Sequence, residues 1–215
     1  MSYQMVYNLL SATGETLYMV VISTLFAVLL GLPLGTLLYS SKYIKPNPKR
    51  YKILSALINI FRSIPFIILL VAIIPFTRLL VGTSIGMNAA IVPLSIGATP
   101  FFARLVDNVF QSLSTGLIET GYSMGANTRQ IIHHILLPEA RPGLIHAITV
   151  TAITLVNYSA MAGTVGAGGL GTLAINYGYQ RFDAGVMIST VIVLILMVQL
   201  MQMLGDHLAK RFIHH

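Results

Sequence analysis

The chain has 215 residues, 55% of them hydrophobic and only 9% charged, with a net charge of +7 and a mean hydropathy of +0.80. A water-soluble domain of this length needs far more charge to cover its surface, so that class is excluded. The absence of cysteine also rules out a disulfide framework and a thiolate metal site. What remains is an all-α, polytopic membrane protein, with room for about five spans of roughly 20 residues each.

Residues 1–15 carry no Lys or Arg, so no cleaved signal peptide is expected. Residues 17–39 hold no charge and form the first expected span. Gly31-Leu-Pro-Leu-Gly35 inside it is a small-xxx-small pattern suited to close helix packing, and Pro33 is expected to kink the helix. A basic loop follows, with Lys42, Lys45, Lys49, Arg50 and Lys52 around Pro46 and Pro48. It reads as cytoplasmic. Its charge is too low to read as a nucleic-acid or anionic-lipid site.

Residues 53–61 read as an amphipathic lead-in to a second span over 62–80, bent at Pro65 and Pro75, with Arg62 as a snorkelling anchor. A third span over 88–105 contains Pro93, Gly97 and Pro100 and is expected to be irregular. A polar loop covers 114–142. The fourth and fifth spans fall at 143–164 and 184–204, with Pro142 opening the fourth and a basic tail at 207–215. Eleven of the 13 Lys and Arg then share one side of the membrane. That places the N-terminus outside, the C-terminus inside and the polar loop in the cytoplasm.

The polar loop is the most informative stretch. Asn127 and Gln130 have capping-box spacing at the start of a helix expected to stop at Pro138. A shorter helix over 116–124 precedes it, with Glu119 in its first turn and Gly125 as a left-handed stop. On this pattern alone the segment reads as an ordinary helical hairpin between spans.

The spacing resembles the EAA loop of ABC-importer permeases: Glu-Ala-Ala, three residues, Gly, nine residues, Ile, one residue, Leu-Pro. Here it is Glu119-Thr120-Gly121, then Gly125, Ile135, Leu137 and Pro138. It departs at Thr120 and Gly121, where the consensus has alanine. Both residues are small, so close packing survives. The resemblance implies that this loop is the coupling helix, docking into a groove on an ATP-hydrolysing subunit.

Residues 59–70, 75–78, 81–86 and 158–171 further resemble methionine-uptake permeases. The implied unit is a type I ABC transmembrane domain over 13–206 in the cell inner membrane. It would be a non-catalytic subunit assembled as two copies with two ATPase subunits and an external methionine-binding protein. It would carry L- and D-methionine and related derivatives by alternating access. Mg-ATP would bind the partner ATPase, leaving no cofactor in this chain.

Other constellations are weaker. Gly166-Ala-Gly168-Gly169-Leu-Gly171 contains Gly-x-Gly-x-x-Gly, yet it follows a membrane span rather than a strand. It reads instead as a flexible external turn closely approached by another backbone. No Gly-Lys-Ser/Thr element exists to cradle ATP phosphates. Adjacent His133 and His134 point to different helix faces and make a poor metal pair.

The six carboxylates form no acid–base pair or intramembrane relay, which disfavours a secondary transporter. Asn157, Tyr158, Ser159 and Met161 in the fourth span are either interhelical glue or the lining or gate of a pathway. Three rival functions stay open: an ABC permease for another amino acid, a secondary transporter, or a membrane anchor for a partner. Nucleic acid is not an expected partner.

Overall fold

The computed structural model describes residues 3–212. Among them all regular structure is helical. Helix α1 (Tyr3–Tyr43) has 41 residues and is therefore about 60 Å long, twice the roughly 30 Å hydrocarbon thickness of a bilayer. It starts well before the expected span and continues through Pro33. Helix α2 (Pro48–Ser63) begins where the Asn47 side chain accepts a hydrogen bond from Arg50 N at 3.0 Å, with Pro48 at its first position.

The expected single span over 62–80 is broken into pieces. Ile64 precedes Pro65, whose ring pushes it into an extended conformation (φ −80°, ψ 122°), so α2 ends. Helix α3 (Phe66–Ala72) departs at 96° to α2. Helix α4 (Ile74–Val81) has Pro75 in its first turn and stops at left-handed Gly82. The two prolines do disturb the chain as expected, but they break the span as well as bending it.

Helix α5 (Met87–Gln111) runs without interruption through Pro93 and Pro100, contrary to the expected irregularity. It is the most enclosed of the long helices. Pro93 and Pro100 each leave the carbonyl four residues earlier without its helical donor. The polar loop holds α6 (Gly116–Ser123), α7 (Thr128–Gln130), a π-helical stretch (Ile131–Leu136) and α8 (Leu137–Glu139). Then come α9 (Arg141–Ala162), α10 (Gly169–Leu173), a second π stretch (Ala174–Tyr179) and α11 (Ala184–Lys210).

Among the described residues four helices are long and apolar enough to cross a membrane: α1, α5, α9 with its 3-10 extension to Val165, and α11. The bent pair α2–α3 makes a fifth if taken as one span. Of the tail at 207–215, residues up to Lys210 continue α11, and 213–215 lie outside the described residues.

Helix α5 sits at the centre, packed against α1, α9 and α2. Its seam with α1 depends on the two glycines of the small-xxx-small pattern. A Cβ at Gly31 would lie 2.9 Å from Thr99 O, and one at Gly35 would run into Ala103 O and the Val106 side chain. Two apolar clusters flank this seam. One, around Met19, Leu94, Leu155 and Leu170, lies toward α10. The other, around Tyr39, Phe102, Val106 and Phe110, lies toward the polar loop. Buried Thr16, Thr99, Thr151 and Thr190 donate their hydroxyls to carbonyls four residues back, so the apolar interior holds no orphan hydroxyl at these positions.

Candidate coupling loop and translocation face

The polar loop is built from two capped helices. At the end of α6, Gly125 adopts φ 77°. Gly125 N donates to Tyr122 O at 2.9 Å and Ala126 N to Gly121 O at 3.0 Å, a complete Schellman motif. Two residues on, the expected capping box is present. Asn127 Oδ1 accepts from Gln130 N at 3.0 Å, and Gln130 Oε1 accepts from Asn127 N at 2.9 Å.

The helix does not stop at Pro138. It widens to π winding over Ile131–Leu136, so that Leu137 N reaches back five residues to Ile132 O. Pro138 cannot donate to the carbonyl four residues earlier, and its ring would crowd that carbonyl in α winding. The wider turn relieves both constraints. The segment ends at Ala140 (φ −76°, ψ −6°).

Two residues outside the motif hold the loop to the spans. Ile131 and Leu136 are fully buried in the cluster with Phe102 and Phe110. The sequence signal was present in the apolar spacing of 131, 132, 135 and 136. The motif residues themselves divide by position. Glu119, Thr120 and Gly125 are exposed, Ile135, Leu137 and Pro138 are half-buried, and Gly121 is buried. A Cβ at Gly121 would lie 2.9 Å from Ile135 Cδ1 and 3.0 Å from Ile131 Cγ1. Glycine rather than alanine thus lets α6 lie against the π stretch.

Tyr122 donates its hydroxyl to Ile44 O at 2.5 Å, joining α6 to the α1–α2 turn. Met124 projects beside Gly125 with 81% exposure.

A polar network, unnoticed in the sequence, fixes α2 to α5. Arg104 pairs with buried Asp107 at 3.1 Å and also donates to Ser55 Oγ at 3.0 Å and Asn59 Oδ1 at 2.9 Å. Gln111 donates to the same Asp107 oxygen at 2.9 Å. The Arg104/Asp107 spacing is the i, i+3 pair of a helix surface.

The four candidate lining residues do not share one face. Asn157 and Met161 are exposed, in line with exposed Val150 and Val165. Tyr158 stacks on Phe66, with centroids 4.4 Å apart and planes 2° apart, and so ties α9 to α3. Ser159 is 2% exposed and donates to Val156 O at 2.7 Å. It points into the chain, two residues round the helix from Asn157, and so is displaced from the expected lining set.

The Gly-rich turn is approached by backbone as expected, but it is not loose. A Cβ at Gly163 would fall on the Gly171–Thr172 peptide, and one at Gly171 would lie 2.6 Å from Ala160 Cα. Glu15 Oε2 accepts from Gly169 N at 2.6 Å, and Thr16 Oγ1 accepts from Leu170 N at 2.9 Å. A helix, not a strand, precedes the turn.

Apolar helices around a buried central span, with a capped polar loop seated on one end, define a multi-pass helical membrane component. The chain belongs to the family of binding-protein-dependent transport system inner membrane components, whose model matches residues 27–214. It is 51% identical over 208 residues to a Vibrio cholerae protein named probable D-methionine transport system permease protein MetI, covering 96% of this chain and 92% of that one. It is 55% identical over 165 residues to the Escherichia coli K12 D-methionine transport system permease protein MetI, covering 76% of each. A solved structure of the MetNI methionine ABC transporter in inward-facing conformations superimposes with a TM-score of 0.98 at 51% identity, over 100% of both chains. An amino acid ABC transporter solved with histidines shares the fold at TM-score 0.78 and 20% identity.

Proposed function

We propose that this chain is the membrane permease of an ATP-driven methionine importer. The observation that carries the reading is the match over the full length of both chains, at 51% identity, to the methionine transporter structure. Relatives named as D-methionine permeases support the same cargo. In this reading two copies assemble with two ATPase subunits and an external methionine-binding protein. Mg-ATP is bound and hydrolysed by the ATPase, and this chain is non-catalytic. The transporter domain spans 13–206, with the N-terminus outside and the tail at 207–215 in the cytoplasm.

The loop at 114–142 is the coupling element. Exposed Glu119, Thr120 and Met124 meet the ATPase, while Ile131 and Leu136 convey its movement to α5. ATP binding and hydrolysis shift the equilibrium between outward- and inward-open states through contacts that differ between them. The pathway lies between the two copies, along the α9 face that bears Asn157 and Met161, with Tyr158 positioning that face against α3.

The test is ATP-dependent uptake of labelled methionine into proteoliposomes containing the permease, its ATPase and the binding protein. Uptake that requires ATP and resists competition by unrelated amino acids is expected. ATP-dependent uptake of a different solute would keep the importer and discard methionine. Uptake lost on collapse of an ion gradient, with ATP present, would point to a secondary transporter. Within the working system, Met161→Ala should change the KM or rate of uptake and Ser159→Ala should change neither. Unchanged kinetics in Met161→Ala would remove it from the pathway.

A further inference from the structure

Taken alone, the basic loop between α1 and α2 is too lightly charged for an anionic ligand. The fold changes that count. Lys45 and Arg50 face the same cavity as Arg129 of α7 and His133 of the π stretch. The cavity measures about 520 Å³, and Ser40 and Ser41 add hydroxyls to its wall. No carboxylate lines it, and none of these four side chains is ion-paired among the described residues. Like charges gathered in this way repel one another, and a bound anion relieves the repulsion.

A second cavity follows along the same two helices. Leu30 and Leu34 of α1, Leu54, Leu57 and Phe61 of α2, and Pro100 of α5 enclose an apolar groove of about 300 Å³. Leu37, one turn from Leu34 on the same face of α1, belongs to the wall of the basic cavity. Arg50 likewise stands one turn before Leu54 on α2. The wall therefore passes from Lys45 in the turn and Arg50 on α2 to apolar side chains of both helices as it leaves the loop and enters the span. A free phosphate, or an acidic protein surface, has use for the first cavity only. An amphiphile with a phosphate at one end matches both.

We propose that the basic cavity and the adjoining groove together form a binding site for one anionic glycerophospholipid, its phosphate among Lys45, Arg50, Arg129 and His133 and an acyl chain between α1 and α2. The inference rests on the inner-membrane placement of the chain and is independent of the solute carried.

The test uses the permease co-purified with its ATPase, exposed to equal amounts of phosphatidylglycerol and phosphatidylcholine, with retained lipid counted by native mass spectrometry. Wild type should retain phosphatidylglycerol preferentially. Arg50→Gln and Arg129→Gln should each lower the retention ratio about fivefold, the effect of one surface cation on an anionic lipid. Lys45→Gln, a single exchange in an exposed turn, repeats the test where the fold is least at risk.

Leu57→Trp, which fills the groove, should abolish retention of the long-chain lipid and spare binding of dihexanoyl phosphatidylglycerol. Equal retention of the two lipids by wild type would overturn the proposal. Displacement of phosphatidylglycerol by millimolar inorganic phosphate, with Leu57→Trp unchanged, would assign the cavity to a free anion. Loss of the ATPase from Arg50→Gln with unaltered lipid retention would assign it to an acidic protein surface. Either result also overturns the lipid.

Discussion

At Gly171 an added Cβ would lie 2.6 Å from Ala160 Cα, whereas at Gly125 nothing lies within 4 Å. The first glycine belongs to a turn folded back on its own backbone and tied to α1 through Glu15 and Thr16. The second stands in open space at the end of α6, with φ 77°. One residue type therefore solves two problems. At Gly171 glycine supplies room, and at Gly125 it supplies a left-handed conformation. The turn is clamped to the spans, while the loop tip is attached mainly through Ile131 and Leu136 behind it.

Substitutions can break or sharpen this contrast. Gly171→Val should have the largest effect, because the clash is with backbone that cannot rotate away. Loss of about 3 kcal/mol or more is expected, read as a sharp fall in folded, monodisperse protein in detergent. Ile131→Ala should cost about 3 kcal/mol and act locally. Limited proteolysis should cut within 114–142 while α1 and α5 stay protected, and protection throughout the loop would deny Ile131 its anchoring role.

Gly125→Ala should cost about 1 kcal/mol, all of it backbone strain. Gly125→Asn should recover part of that loss because Asn tolerates the left-handed region. If both behave alike, the φ argument fails. Smallest of all, Glu15→Gln keeps an acceptor for Gly169 N but loses its charge, with an expected cost of under about 1 kcal/mol. Hydrogen exchange at Gly169 and Leu170 should rise while Gly125 is unaffected.

Local signals were legible in the sequence. The Asn127/Gln130 capping box, left-handed Gly125 and the close-packing Gly31/Gly35 pair are each encoded within a few neighbouring residues, and all three appear as read. Hydropathy, by contrast, averages across short interruptions, so 62–80 read as one span although Ile64-Pro65 and Pro75 break it. The π winding before Pro138 was not legible either, since proline usually signals a stop and the rescue depends on how the preceding turn widens. Ser159 was grouped with Asn157 by adjacency, yet two positions along a helix turn a side chain to another face. The basic cavity lay furthest from view. Its cations come from two segments far apart in the chain, and neither segment carries enough charge alone.

The seam between α1 and α5 also governs how the molecule can move. Because Gly31 and Gly35 bring the two backbones close at Thr99 and Ala103, no α1 side chain separates the helices at that crossing. In the proposed importer, a push delivered by the loop at Phe102 and Phe110 is shared by α1 and α5 where they touch, and rearrangement takes place at the boundaries of that pair. Spin labels on α1 and α5 of one copy should keep a constant separation through the nucleotide cycle, while labels on the α9 faces of the two copies change theirs.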